Sequence, residues 1–445
     1  MWLRSNYSRW YLMKKKLRVV RSYLRTKLQK PFTSRVALEK WQQQQVDKHL
    51  QFVRKHSPYF RELLTKYQWE DLPYMNKTIM MEHFDSLNTK GIRKEDAMQL
   101  ALRAEETREF KAQIGDVTVG LSSGTSGNRG IFLVSEQEQG EWAGVILAKL
   151  LPRGLFSREK IAFFLRANSN LYESVKSRTI QFSFFDLLEP LSAHVERLNK
   201  LQPTIIVAPP SLLRMLASAK RAGDLQVTPI KMISVAEVLE PVDKKYIEDT
   251  FNLRLDIVYQ ATEGFIAHTC SYGKLHLNED IMLVEKKFLD NDKIRFSPVI
   301  TDFRRTTQPM IRYELNDILT LSKEVCSCGS VMTPIESIEG RSDDIFRMPS
   351  KRTKENVLIF PDFIRRAVMA ASDKIEEYRV IQKEKNLVVV QLKVNQAREL
   401  VQQQVDNQLQ ALFQTYGIQA PTISFHPYEE QPKLKKLKRI ESLIH

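Results

Sequence analysis

A chain of 445 residues exceeds what one hydrophobic core supports, so two or three domains are expected. Hydrophobic residues make up 42% and charged residues 27%, an ordinary globular balance, and no apolar run reaches the length of about eighteen that spans a bilayer. Three cysteines, an odd number, exclude a disulfide framework and fit a reducing cytoplasm.

The net charge of +15 is concentrated at the start of the chain. Residues 1–31 hold ten Lys/Arg and no Asp or Glu, with Leu17, Val20, Leu24 and Leu28 at helical spacing. That pattern predicts a basic amphipathic helix. It could pack on its own protein, lie peripherally on an anionic inner-membrane surface, or dock on a protein partner. A signal peptide's apolar core and cleavage site are missing. Without this arm the chain is only mildly basic, which argues against nucleic acid as a partner.

Residues 32–115 read as helices punctuated by turns at Pro73, Asn76 and Gly91. Two β-like segments, 116–121 and 131–134, then flank Ser122-Ser123-Gly124-Thr125-Ser126-Gly127. Its glycines let the backbone turn and expose N–H groups, and its hydroxyls add donors, so the loop suits a phosphate. No Gly-Lys-Ser/Thr ending follows, so it is not a Walker A loop. Strand candidates at 161–165, 204–208 and 231–235 alternate with helices at 137–151, 190–201, 209–222 and 241–251. Such alternation implies an α/β fold with parallel pairing. Short strands surround Asp290-Asn291-Asp292. After Asp344 a separate α+β pattern begins, with a helix near 361–373, strands at 378–382 and 387–394, a Gln-rich helix at 396–415 and a strand near 422–425. The expected division is a basic segment 1–31, a large N-terminal domain 32–342 and a small C-terminal domain 343–445.

Four further motifs follow the Ser/Gly loop: Tyr259-Gln260-Ala261-Thr262-Glu263-Gly264, Arg312-Tyr313-Glu314-Leu315-Asn316-Asp317, Glu339-Gly340-Arg341-Ser342-Asp343-Asp344 and Lys435-Lys436-Leu437-Lys438-Arg439-Ile440. In this order the five resemble the adenylate-forming superfamily of acyl-CoA synthetases, luciferases and adenylation domains. The phenylacetate–CoA ligase branch is the nearest match, together with its coenzyme F synthetase relatives, whose sequences are similar at 164–172 and 275–280.

The resemblance implies a large multi-subdomain N-terminal domain with a small mobile C-terminal domain, and an ATP-dependent, AMP-forming activation of a carboxylic acid. The acyl group would pass to coenzyme A, an amine or a carrier-protein thiol. It places the ATP phosphates on Ser122–Gly127, with Arg129 near a position that is usually Lys and is Gly130 here. Glu263 is implied as Mg²⁺ ligand, Thr262 as a partner of the α-phosphate and Tyr259 as the adenine stack. Ala236 and Glu237 would flank the adenine, and Asp317 and Arg341 would hold the ribose. Asp343 is implied as the hinge. Lys436 is the implied catalytic lysine, with Lys433, Lys435 and Lys438 as competitors. Arg166, Asn168 and Tyr172 are candidates for the acid pocket. Two rival readings stay open: nucleotidyl transfer to a hydroxyl, and an inactive nucleotide-binding scaffold.

Cys270, His276, Cys326 and Cys328 form a Cys₃His set suited to tetrahedral structural zinc, with His268 as a substitute ligand. Similar ligands occur in the phenylacetate-ligase branch.

Overall fold

A computed structural model describes residues 2–107, 112–121, 130–165, 179–353, 355–372, 374–429 and 438–444, with side chains from Lys14 onward. They divide into two compact units. The first contains Met1–Lys286, Val299–Leu315 and Leu321–Glu336; the second contains Lys287–Pro298, Asn316–Thr320 and Ser337–His445.

The first unit opens with the helix Trp2–Leu28, which packs along the helix Glu136–Leu150. Val19, Ser22 and Tyr23 are buried there, and the Ser22 hydroxyl donates to the Glu141 carbonyl at 2.7 Å. Close approach depends on Gly144, where a Cβ would stand 2.5 Å from both the Val19 carbonyl oxygen and the Ser22 Cβ. The helix therefore packs on its own protein, but not through the residues that the spacing picks out. Leu17, Val20, Leu24 and Leu28 remain 66%, 40%, 46% and 75% exposed.

The helix Arg35–His56 is capped by Ser34, whose hydroxyl accepts from the Ala37 N–H at 3.2 Å. It buries Leu38, Gln42, Val46, His49 and Val53, one face at helical spacing. Val117–Leu121 and Ile131–Ser135 pair antiparallel on either side of the Ser/Gly loop. Ser135 then starts the helix Glu136–Leu150 through a capping box with Glu138.

Five parallel strands form the centre of this unit, in the order Ile180–Asp186, Glu159–Leu165, Ile205–Ala208, Lys231–Ser234, Leu255–Gln260. Phe265–Thr269 and Leu275–Leu277 extend the sheet antiparallel, and Pro334 and Ile335 pair beyond them. Ile206 and Ala208 read as an apolar run because the helices Leu191–Leu201, Pro210–Arg221 and Pro241–Phe251 cover the sheet through Leu198, Leu213, Leu216 and Ile247. The strand Ile180–Asp186 has no counterpart among the sequence expectations. Its aromatic-rich text, Ile-Gln-Phe-Ser-Phe-Phe-Asp, lacks flanking helical periodicity on its N-terminal side.

The second unit holds a four-stranded sheet in the order Thr422–Pro427, Leu387–Val394, Ile375–Glu384, Ile440–Ser442. The helices Pro361–Ala371 and Arg398–Thr415 pack into its core. Val401, Val405, Leu409 and Phe413 recur every fourth residue and are fully buried, so the Gln-rich helix keeps its glutamines on the outer face. Ser342–Asp344, where the sequence suggests a boundary, forms one turn of 3₁₀ helix inside this unit.

Candidate active site

The strands Glu159–Leu165, Ile205–Ala208, Lys231–Ser234 and Leu255–Gln260 are adjacent and parallel, so their carboxyl ends share one sheet edge. Ligands of open α/β sheets bind outside that edge. The residues that follow these strands include Ser211, Ala236, Glu237, Thr262 and Glu263. The Ser211 N–H, at the start of the helix Pro210–Arg221, reaches the Glu237 carboxylate at 3.4 Å, which joins that helix start to the loop after Lys231–Ser234. Ala236 adopts φ 69°, a left-handed conformation that costs an alanine about 1–2 kcal/mol. Such strain collects at functional loops.

Ala261–Gly264 turns the chain from Leu255–Gln260 into Phe265–Thr269, with the Ala261 N–H donating to the Gly264 carbonyl at 3.0 Å. The Thr262 hydroxyl donates to the Glu263 carboxylate at 2.8 Å. Tyr313 stands beside that carboxylate, and burial together with the Glu263 charge pushes its phenol up from the ordinary value. The phenol therefore stays protonated and is available as a donor to Glu263. Gly264 allows the turn to close on the wall behind it: a Cβ there would lie 3.0 Å from Met282 Cε and 3.3 Å from the Asp302 carboxylate.

Arg305 connects this turn to the Ser/Gly loop region. Its guanidinium donates to the Thr262 carbonyl at 2.8 Å and to the Leu133 carbonyl at 3.2 Å. Leu133 belongs to the strand that leaves the Ser/Gly loop. Gln308 grips the same strand, accepting from the Leu133 N–H at 3.0 Å and donating to the Ile131 carbonyl at 3.1 Å. The buried Glu138 accepts from the N–H groups of Thr306 and Thr307 at 2.6 and 2.9 Å. Sequence reasoning assigns no role to Arg305, Gln308, Asp302 or Tyr313. Tyr313 lies inside the Arg312–Asp317 motif, whereas Arg305 and Gln308 sit in an irregular segment with no periodicity to single them out.

Ser122, Ser123, Gly124, Thr125, Ser126, Gly127 and Arg129 lie outside the described residues, as do Arg166, Asn168, Tyr172, Lys433, Lys435 and Lys436. Tyr259 is half-buried at the end of its strand. In the second unit, Arg341 Nε stands 3.9 Å from the Asp317 carboxylate, so the two ribose candidates are neighbours. Asp343 accepts from the Asn316 amide at 2.8 Å. Lys438 pairs with the buried Asp344 at 2.9 Å, which gives this competitor for the catalytic role a structural partner.

The four zinc candidates converge. Their ligand atoms all lie within 4.8 Å of one another, with Cys270 Sγ 3.7 Å from Cys326 Sγ and Cys328 Sγ 3.6 Å from His276 Nε2. Sulfurs bound tetrahedrally at ~2.3 Å sit about 3.8 Å apart, so the set has the spacing of a zinc cage. His276 Nδ1 lies 3.0 Å from the Met332 carbonyl, which orients Nε2 toward the thiols. Tight turns present the cysteines: the Gly273 N–H donates to the Cys270 carbonyl at 2.9 Å, and the Gly329 N–H donates to the Cys326 carbonyl at 3.2 Å. Both glycines have positive φ, 86° and 73°. Burial raises both thiols of the Cys326–Cys328 pair, but hydrogen bonding led by the Cys328 backbone N–H pulls Cys326 down to about 7, while Cys328 is pushed up to about 11. The converging group contains His276 rather than His268, whose Nδ1 lies 2.7 Å from the Asn278 side-chain oxygen.

No family model matches the chain. A search of characterised proteins finds similarity to Protein CapK of Staphylococcus aureus, 21% identical over 371 residues, covering 80% of this chain and 78% of CapK. Among solved structures, 2-hydroxyisobutyryl-CoA ligase in a postadenylation state with 2-HIB-AMP superimposes with a TM-score of 0.69 at 16% identity, over 93% of this chain and 91% of that one. A fatty acyl-adenylate ligase from the E. coli and L. pneumophila studies gives a TM-score of 0.52 at 12% identity, over 72% and 68%. The chain has the adenylate-forming ligase fold, a large mixed α/β region with a C-terminal domain.

Proposed function

We propose that this protein is an AMP-forming ligase that activates a carboxylic acid with ATP and passes the acyl group to coenzyme A, an amine or a carrier thiol. The observation that supports this most is Arg305, which ties the strand leaving the Ser/Gly loop to the Thr262–Glu263 turn within one unit. In this reading Ser122–Gly127 cradle the phosphates and Thr262 bonds the α-phosphate. Glu263, held by Thr262 and Tyr313, offers a carboxylate to Mg²⁺, a hard cation that would offset phosphate charge. Tyr259 and Glu237 border the adenine. Asp317 and Arg341 take the ribose, and Asp343 serves as hinge for the C-terminal domain and Lys436. Arg166, Asn168 and Tyr172 line the acid pocket. Cys270, His276, Cys326 and Cys328 hold a structural zinc, and four protein ligands leave it no open position for catalysis. The enzyme works in the cytoplasm, and residues 1–31 contact a membrane surface or a protein.

Exchange of radiolabelled pyrophosphate into ATP, run over a panel of carboxylic acids, tests the reading. At least one acid should drive exchange, and Glu263→Gln should reduce it by about a hundredfold or more while melting remains unchanged. Exchange that survives Glu263→Gln would remove this carboxylate from the site. A folded, ATP-binding protein inert with every acid would leave the scaffold and nucleotidyl-transfer readings. AMP retained on the product would mean nucleotidyl transfer.

A further inference from the structure

The helix Trp2–Leu28 presents two opposite faces. Val19, Ser22 and Tyr23 bury one against Glu136–Leu150, and the glycines Gly140 and Gly144 of that helix let it approach closely. Held in this way, the helix turns Leu17, Val20, Leu24 and Leu28 outward as a single stripe. At helical pitch, Lys16 and Lys27 fall along one border of the stripe, and Lys14, Arg21 and Arg25 along the other, all exposed. In the sequence, Trp10 and Met13 extend the same alternating spacing of three and four toward the N-terminus.

We infer that this stripe docks the enzyme on an anionic lipid bilayer. The inference deepens the surface-contact reading of residues 1–31 and rests on it. A flat apolar strip bordered on both sides by long cationic side chains matches an interface helix. The leucines enter the acyl boundary, while Lys and Arg extend their charges sideways to the headgroups. Charge decides against a second copy of the helix as occupant. Residues 1–31 contain no carboxylate, so two such helices would face each other with cations on both sides. An anionic lipid surface complements that charge, and each cation near it adds to the attraction. Docking leaves the helix's inner contact intact, because the lipid-facing and protein-facing residues are different.

Co-sedimentation with vesicles tests this. The full chain should pellet with mixed phosphatidylcholine–phosphatidylglycerol vesicles, much less with pure phosphatidylcholine, and less again as salt rises. Leu17→Ser with Leu24→Ser should lower the partition coefficient about tenfold or more. Arg21→Gln with Arg25→Gln should lower it about tenfold. All four residues are exposed, so thermal melting should stay at the wild-type value in both double variants. Equal binding by wild type and both variants overturns the proposal, as does a wild type that stays in the supernatant. Retention on soluble polyglutamate without vesicle binding would assign the face to an acidic protein. A wild-type dimer lost in the leucine variant would make the stripe an interface between copies. Pyrophosphate exchange on the same preparations separates the two readings: exchange without sedimentation sinks only the docking, and sedimentation without exchange sinks only the ligase.

Discussion

Asp302 is a carboxyl group buried behind the Thr262–Glu263 turn, and its burial pushes it from an ordinary 3.8 up to about 6. The folded chain therefore keeps this proton up to about pH 6, whereas the unfolded chain releases it near 3.8. The protonated acid stabilises the fold fully below the lower value, and that contribution is lost as pH rises through the higher one. Asn at this position can still accept the Arg304 N–H, which Asp302 receives at 2.9 Å. Asp302→Asn should thus match wild type below about pH 4 and exceed it by up to about 3 kcal/mol at about pH 7. The comparison must be between variant and wild type, because the buried His49, lowered to about 4, titrates with the opposite sign. Denaturant unfolding at both pH values measures it; a variant weaker at neutral pH would contradict the account. At this scale the sequence reveals residues whose type implies chemistry at a turn, such as Thr262 and Glu263. Residues that act by bridging distant backbone, such as Arg305, are illegible. Their partners, Leu133 and Thr262, lie 172 and 43 positions away.

Among the elements, the Cys/His loop and the first helix carry the clearest predictions. Glu279 is fully buried and accepts a paired hydrogen bond from Arg35 at 2.7 and 2.8 Å and the Thr333 N–H at 2.6 Å, so it anchors the segment just after Cys328. With zinc as the closure, metal analysis should find one zinc per chain. Strong chelation should lower the unfolding free energy by about 3 kcal/mol or more. Cys326→Ser should lose the metal; a metal-free chain of equal stability would remove the cage. The first helix depends on a missing Cβ. Gly144→Leu places side-chain atoms where the Val19 carbonyl and Ser22 now sit, so it should cost about 1–3 kcal/mol. Tryptic cleavage among the lysines and arginines of 14–30 should accelerate in that variant, and unchanged cleavage would refute the packing. Both elements were legible as elements. The Cys and His residues singled out in the sequence converge, and the helices at 191–201, 210–221 and 241–251 fell where periodicity placed them. What periodicity could not say was which face of the first helix is covered. Four leucine-class residues look like a packing stripe until two glycines on another helix select the smaller face of Val19, Ser22 and Tyr23.

Across the whole molecule, the order of strands and helices announced an α/β fold followed by a small α+β part, and each unit has its own buried core. The boundary was harder to read. The second unit recruits Lys287–Pro298 and Asn316–Thr320, because these segments pair with each other and both Arg295 and Thr320 bond the buried Glu339 of that unit. Composition does not mark such an exchange. The function proposed for the molecule requires one event: a carboxylate oxygen of the substrate attacks the innermost phosphorus of ATP. Heavy-oxygen label in the carboxylate of an accepted acid follows that event directly. After acyl transfer the account predicts one labelled oxygen in the released AMP and none in pyrophosphate. Label absent from AMP, or appearing in inorganic phosphate beside ADP, would contradict it.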